Sequence, residues 1–104
     1  MTRIIVLLNL KPGKDRTAYE AWARETDLPT VNGLESVDRF ELFESTGVLG
    51  GGTPPYDYIE IIDVADMELF GHEVSTDAMG AIAAQFNEWA DPVFIVTRNA
   101  STAA

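Results

Sequence analysis

The segment best equipped for chemistry is Tyr56–Glu60, where two phenols and a carboxylate stand at alternate positions. In a β-strand, alternate side chains point to the same face, so Tyr56, Tyr58 and Glu60 would share one face. If that face meets helices, burial raises the pKa of Glu60 and makes the residue a general acid or base. The alternative is an exposed or interfacial face on which tyrosine and glutamate are simply tolerated. The pattern does not distinguish between these two interpretations.

The only histidine, His72, is a second candidate for acid/base catalysis, because an imidazole titrates near neutral pH. A surface histidine without a role is the commoner outcome at the end of a short helix. One imidazole and no cysteine exclude a His-based or thiolate metal site, a disulfide and a cysteine nucleophile. Glycine-rich nucleotide-binding motifs and a nucleophile elbow are also missing. We therefore predict no metal and, for an enzyme, no cofactor.

Three further residues are candidates for substrate binding or catalysis, and each has a structural alternative. Trp22 and Phe86 would lie on inner helix faces, where aromatic side chains belong to the core more often than to a ligand platform. Asp27 follows Trp22 by five positions, which does not place the two on one helical stripe. A turn at Leu28-Pro29 would still bring Asp27 over a sheet. Its alternative is a helix cap or an ion pair with Arg24.

Hydrophobic periodicity and turn chemistry predict the elements that position these residues. An apolar, β-branched run predicts the first strand, and alternation predicts the second and third. Aspartate, serine and threonine caps start the helices, and prolines are expected to end them. The predicted elements are a strand at Arg3–Leu10, a helix from Asp15 to Asp27 ended by Leu28-Pro29, a strand at Glu35–Ser45 after an Asn32-Gly33 turn, a glycine-rich connector at Gly47–Pro55, a strand at Tyr56–Val64, a short helix from Asp66 to His72, a helix from Ser75 or Thr76 to about Ala90 that Asp91-Pro92 breaks, and a strand at Val93–Asn99.

This order predicts one α+β domain over residues 1–104, a ferredoxin-like βαββαβ sandwich with both helices on one sheet face. The other sheet face is apolar, and no sequence remains to cover it. A second copy packed sheet against sheet would do so, which predicts a homodimer. The chain has 17 acidic and 7 basic residues and no basic cluster, which argues against nucleic acid or an anionic membrane as partner. Neither a signal peptide nor a membrane-spanning run is visible, so the expected location is the cytoplasm.

Three stretches of the chain are together typical of a known family. They are Trp22–Pro29, Pro55–Glu60, and Ala84–Phe86 followed by Asp91–Phe94. The chain resembles the RedY/HapK-like family of the dimeric α+β barrel superfamily from Ile4 to Val96, and Pro55–Glu60 is the most specific part. The resemblance implies a barrel built from the sheets of two protomers, with a pocket between each sheet and its own helices. The positions that match the family are Trp22, Asp27, Tyr56, Tyr58, Glu60 and Phe86, whereas His72 matches no motif.

The resemblance implies a cofactor-free enzyme of bacterial secondary metabolism that acts on a pyrrole- or indole-type intermediate, by condensation or carboxamide formation, in pathways to prodiginine pigments and bisindoles. A flat heteroaromatic acid or ketone would stack near Trp22 and Phe86. Tyr58 would donate a hydrogen bond to a developing oxyanion, and Glu60 or Asp27 would move the proton, with His72 in reserve. One alternative is a cofactor-independent oxygenase of aromatic polyketides. The other is a non-catalytic binding protein that shields a reactive intermediate.

Overall fold

The computed structural model describes residues 1–103, which form one four-stranded antiparallel sheet with helices over one face. The strands lie in the order β2-β3-β1-β4 and are β1 (Thr2–Leu10), β2 (Val37–Glu44), β3 (Tyr58–Val64) and β4 (Ala90–Thr97). The helices are α1 (Arg16–Trp22), a π-helical turn (Ala23–Asp27), α2 (Leu28–Asn32), α3 (Met67–Val74) and α4 (Asp77–Trp89). This topology confirms the predicted ferredoxin-like α+β fold. Over the described residues, no helix is long and apolar enough to cross a membrane.

Helices α1, α3 and α4 begin at the polar residues that the sequence predicts as caps. The side chains of Asp15, Asp66 and Thr76 each accept a hydrogen bond from the backbone N–H three residues further on. The first N–H groups of a helix have no partner within the helix, so these side chains satisfy donors that would otherwise need water. Of the two residues predicted for the last helix, Thr76 is the cap.

The core lies between the helices and one face of the sheet. Strand β1 buries Ile4, Val6 and Leu8 on this face. The antiparallel register places three residues of β3 directly opposite them, namely Ile62, Glu60 and Tyr58. The face of the third strand that carries a phenol and a carboxylate therefore points toward the helices, as one of the two interpretations of the sequence requires.

The first helical region runs past the point where the sequence predicts its end. Leu28-Pro29 does not terminate it, because the chain stays helical to Asn32. The N–H of Leu28 bonds to the carbonyl of Ala23, five residues earlier, and so closes the π-helical turn. Pro29 then falls in the first turn of α2, where a missing N–H breaks no helical hydrogen bond. The predicted helix end at Pro29 is wrong for this reason.

The starts of β3 and β4 are among the strand boundaries that differ from the prediction. Strand β4 begins at Ala90, directly after α4, so that Asp91 and Pro92 belong to the strand instead of preceding it. Proline is tolerated there because β4 is an edge strand with a single neighbour, β1. Strand β3 begins at Tyr58, which leaves Tyr56 in the approach to the strand.

The sheet face that points away from the helices is also apolar. Alternation along the strands places the side chains of Ile5, Leu7, Ile59, Ile61, Val93 and Ile95 on it. Val93 and Ile95 remain exposed, and no other element among residues 1–103 covers this face. We name this surface the outer face.

We expect that Leu8→Ala lowers the free energy of unfolding by about 2–5 kcal/mol, because the substitution removes buried methyl groups and leaves a cavity. Leu8 is 0% exposed at the centre of the core, whereas Leu49 is 104% exposed in the β2–β3 connector. Leu49→Ala is therefore the matched control and should cost almost nothing. Urea denaturation followed by circular dichroism measures both, and equal losses in the two variants would contradict the core as described.

Candidate active site

A cavity of about 380 Å³ lies between the sheet and the helices. Its volume falls at the small end of the range of ligand pockets, roughly 300–1,000 Å³. Among the described residues of its lining, the only ionisable side chains are the two carboxyl groups of Asp27 and Glu60. The remaining lining residues are Ile4, Val31, Leu34, Phe40, Ile62, Met67, Phe70, Val74, Met79, Ile82, Ala83, Phe86, Phe94 and Val96.

Glu60 reaches the cavity from the middle of β3, opposite Val6 of β1. The residue is only 2% exposed, and its Oε2 atom has no hydrogen-bond partner among the described residues. Burial raises its pKa to about 8, and the nearby negative charge of Asp27 adds to the rise. The phenol of Tyr19 lowers the pKa of Glu60 and so offsets part of this rise. Glu60 is therefore predominantly protonated at pH 7, unlike an ordinary glutamate.

Asp27 reaches the cavity because of the π-helical turn that it ends. Within a regular α-helix, the spacing of Tyr19, Ala23 and Thr26 would place all three on the inner stripe. A π turn contains one additional residue, so the position after Thr26 takes this place, and Asp27 is 6% exposed. Burial raises the pKa of Asp27 to about 6, which leaves it mostly ionised at pH 7. No described group donates a hydrogen bond to its carboxylate.

The two carboxyls form a pair with unequal proton affinities. Both lie in an apolar cavity, and two negative charges in such a site disfavour one another. Between pH 6 and pH 8 the pair therefore holds one proton, mainly on Glu60, while Asp27 is charged. A neutral acid beside an ionised base is the arrangement that general acid/base catalysis requires.

Tyr19 is a further polar residue of the site. Its helical spacing with Trp22, Ala23 and Thr26 predicts only a place on the apolar face of the first helix. It is completely buried, and its hydroxyl has no hydrogen-bond partner in the described chain. Its ring lies 5.0 Å from the ring of Tyr58 and 5.9 Å from that of Trp89. Burial and the charge of Glu60 raise its pKa, so the phenol keeps its proton beside that carboxyl. Periodicity shows that a side chain is buried and gives no information on where its hydroxyl points.

Tyr58 faces the helices, as one of the two interpretations of the sequence requires, yet it does not line the cavity. Its hydroxyl donates a 2.6 Å hydrogen bond to the carboxylate of Glu20 on α1, and the guanidinium of Arg16 lies 5.3 Å from its ring centre. Burial and Glu20 both raise the pKa of this phenol. A hydroxyl that is engaged in this way cannot also serve an oxyanion in the cavity, so the geometry does not support that role for Tyr58.

Of the other predicted site residues, some line the cavity or pack against it and others lie away from it. Phe86 lines the cavity, and Trp22 stacks behind it with ring centres 6.2 Å apart and planes 8° from parallel. The indole N–H of Trp22 donates to Gln85 at 2.8 Å. Tyr56 is half-buried before β3, and His72 is exposed on α3, both away from the cavity lining. The fold thus brings together Glu60, Asp27 and Phe86. No cluster that could hold a metal ion occurs within residues 1–103.

Comparison with known families and structures agrees with this architecture. The family described as REDY-like protein HapK matches residues 2–100, which confirms the resemblance found in the sequence. No curated protein matches the sequence. Among solved structures, HapK from Hahella chejuensis is 24% identical with a TM-score of 0.79, and the match covers 100% of this chain and 97% of that chain.

Two further solved structures share the fold at lower sequence identity. SnoaB, a cofactor-independent oxygenase from Streptomyces nogalater, is 10% identical with a TM-score of 0.77, over 98% of this chain and 95% of that chain. A dimeric ferredoxin-like protein of unknown function from Thermobifida fusca is 15% identical with a TM-score of 0.73, over 94% of this chain and 90% of that chain. At these identities the likeness shows the fold alone.

We expect Glu60→Gln to make the protein more stable than the parent at alkaline pH. The pKa of Glu60 rises from an ordinary 4.5 to about 8 on folding, so the folded state holds the proton more tightly than the unfolded state. A carboxyl of this kind lowers the free energy of unfolding as the pH rises from about 4.5 to about 8. The cost is roughly 5 kcal/mol, because each tenfold change in proton affinity corresponds to ~1.4 kcal/mol.

The measurement is the free energy of unfolding at pH 5, 7 and 9 for the parent and for Glu60→Gln. Between pH 5 and pH 9, the free energy of unfolding should fall by several kcal/mol more in the parent than in the variant. Glu88→Gln, which changes an exposed glutamate on α4, should follow the parent. Parallel pH profiles for the parent and Glu60→Gln would show that Glu60 has an ordinary pKa in the folded protein.

Proposed function

The chain belongs to the REDY-like HapK family, and from that premise we propose that it is a cofactor-free enzyme of bacterial secondary metabolism which joins flat pyrrole- or indole-type intermediates by acid/base condensation. The observation that carries the proposal is the pair of carboxyls with different pKa values, Asp27 at about 6 and Glu60 at about 8, in an otherwise apolar cavity. The apolar walls suit a flat ring, and the two carboxyls supply one acid and one base.

In the proposed reaction an electron-rich ring carbon attacks the carbonyl carbon of a second molecule, and a carbon–carbon bond forms. Glu60 donates its proton to the carbonyl oxygen, which would otherwise become an unfavourable anion in the apolar site. Asp27 accepts the proton released by the ring carbon. The oxygen then leaves as water with a second hydrogen from the ring nitrogen. One water is lost in total, so the step needs no oxidant.

The remaining predicted residues take supporting roles in this proposal. Phe86 would contact the ring of the substrate, and Trp22 would hold Phe86 in place by stacking. Tyr58 would support the site through its contact with the ring of Tyr19. Tyr56 and His72 are given no part in the chemistry, because both lie away from the cavity lining.

A second candidate is a cofactor-independent oxygenase of aromatic polyketides. The similarity of the fold to SnoaB and the apolar walls of the cavity favour it. Asp27 would withdraw a proton from an activated ring carbon, and the resulting carbanion would react with molecular oxygen. This mechanism consumes oxygen, whereas the condensation releases water, so the two are separated by measurement.

The first test incubates the protein with pyrrole-2-carbaldehyde and 2,4-dimethylpyrrole and detects the methine-bridged product by mass spectrometry. We expect Glu60→Gln and Asp27→Asn each to lower kcat/KM by about 10²–10⁴, the usual contribution of a general acid or base. Tyr58→Phe should lose less than tenfold and Glu88→Gln nothing. The parent should show a bell-shaped pH profile with limbs near pH 6 and pH 8.

Full activity in Glu60→Gln would refute the acid/base assignment. Oxygen consumption with anthrone, without condensation, would favour the oxygenase. Tight binding of the two pyrroles without any product would favour the non-catalytic binding protein, and this result would also be insensitive to Glu60→Gln.

We also propose that two copies of the chain pack through their outer faces. The exposed Val93 and Ile95 and the neighbouring side chains of β1 and β3 form an apolar surface that needs a cover. The Thermobifida fusca protein of the same fold is described as dimeric, which supports this arrangement. A two-fold axis through the outer face would produce the barrel that the family resemblance implies.

Light scattering coupled to size-exclusion chromatography should give a mass twice the 11.4 kDa of the chain. Ile95→Glu should shift the protein to monomer, because it places a charge in the apolar contact. Leu49→Glu, in the exposed β2–β3 connector, is the control and should leave the dimer intact. A parent protein that elutes with the mass of one chain would rule out this assembly.

A further inference from the structure

We infer that the cavity selects uncharged aromatic ligands that donate a hydrogen bond and rejects the matching carboxylates. The inference rests on the proposed function only in placing the ligand in the same cavity. It follows from the two ionisable side chains that line the cavity, since both are carboxyls. One of them, Glu60, is only 2% exposed, and its Oε2 atom has no hydrogen-bond partner among the described residues.

The cavity offers nothing that could neutralise an anion. Its described lining contains no lysine, arginine or histidine. The two arginines of the first helical region are engaged elsewhere, Arg16 with Glu44 and Asp57 at 3.0 and 2.8 Å, and Arg24 with Glu20 of α1. A carboxylate ligand would lose its hydration and meet the charge of Asp27. The net charge of −10 on the chain also repels anions at longer range.

The cavity does offer an acceptor that lacks a donor. Oε2 of Glu60 is fully buried and has no hydrogen-bond partner among the described residues. A buried acceptor without a donor costs free energy, and a ligand N–H or O–H removes this cost on binding. The proton of Glu60 can meanwhile be donated to an acceptor on the ligand. The complementary molecule therefore carries a donor next to an acceptor on a flat apolar ring.

This inference narrows the substrate class expected from the sequence, which included heteroaromatic acids as well as ketones. The carboxylic acids are disfavoured by the charge of the cavity. Its volume of about 380 Å³ lies within the range of small-molecule pockets and is enough for a bicyclic ring with one small substituent.

The test compares three ligands that share a ring and a shape, namely 1-naphthamide, 1-acetonaphthone and 1-naphthoate. They differ only in carrying an amino group, a methyl group or a charged oxygen on the same carbonyl carbon. Isothermal titration calorimetry at pH 7 should show 1-naphthamide binding at least about tenfold more tightly than 1-naphthoate, as expected for an unpaired buried charge. The amide should also bind more tightly than the ketone, because only the amide supplies a donor.

Two further measurements assign the selectivity to Asp27. The Asp27→Asn variant should reduce the preference for the amide over the acid to less than threefold, while Glu88→Gln should leave it unchanged. Lowering the pH to 5 should have the same effect in the parent protein, because Asp27 then binds a proton. Glu60 and Tyr19 are the titratable groups near Asp27, and α3, α4, β1 and β4 contribute apolar side chains to the described lining.

Equal or tighter binding of 1-naphthoate by the parent protein would overturn the inference, as would equal binding of the amide and the ketone. Failure of all three ligands to bind at millimolar concentration would also overturn it. These measurements involve no turnover, so a failure of the selectivity and a failure of the proposed condensation appear in separate experiments.

Discussion

The burial of Glu60 is the constraint on which the site depends. The register of β1 against β3 fixes its side chain on the helix side of the sheet, opposite Val6 and between two residues of the core. A charged carboxylate would be costly there, so the folded protein keeps this carboxyl protonated near neutral pH. The same burial that lowers stability at alkaline pH creates a neutral acid, and sites that sacrifice stability in this way are commonly functional.

Asp27 completes the pair through a local departure from α-helical geometry. The π-helical turn adds one residue to the inner stripe and thereby turns Asp27 toward Glu60, and Pro29 follows where a regular helix tolerates it. Without that turn, Thr26 would take the inner position, and the cavity would contain a single carboxyl. Glu60 would then lose the neighbouring charge that raises its pKa further. The sheet register thus places Glu60 in the cavity, and the irregular helix places Asp27 there.

The sequence was sufficient to predict the order of elements, the helix caps and the presence of Tyr58 and Glu60 on one face of β3, because these follow from local periodicity and hydrogen bonding. It left open whether that face meets the helices. It predicted the wrong end for the first helix, since a proline signals a helix end and a new helical turn equally well. It also could not show that Tyr58 gives its proton to Glu20, or that the hydroxyl of Tyr19 is left free. Such pairings depend on which distant elements meet, and spacing along the chain does not encode them.

The cavity exists because the helix layer covers the sheet unevenly. Helix α3 buries no residue completely and is held at its end by Glu73, whose carboxylate accepts the N–H groups of Glu35 and Ser36 at 2.9 and 3.0 Å. The first helical region packs closely by contrast, through Tyr19, Ala23 and Asp27. A small domain that leaves such a void under α3 and α4 forgoes part of its core. Burial of the outer face against a second copy would offset this loss, and the same sheet would then serve as the floor of the site and as the interface.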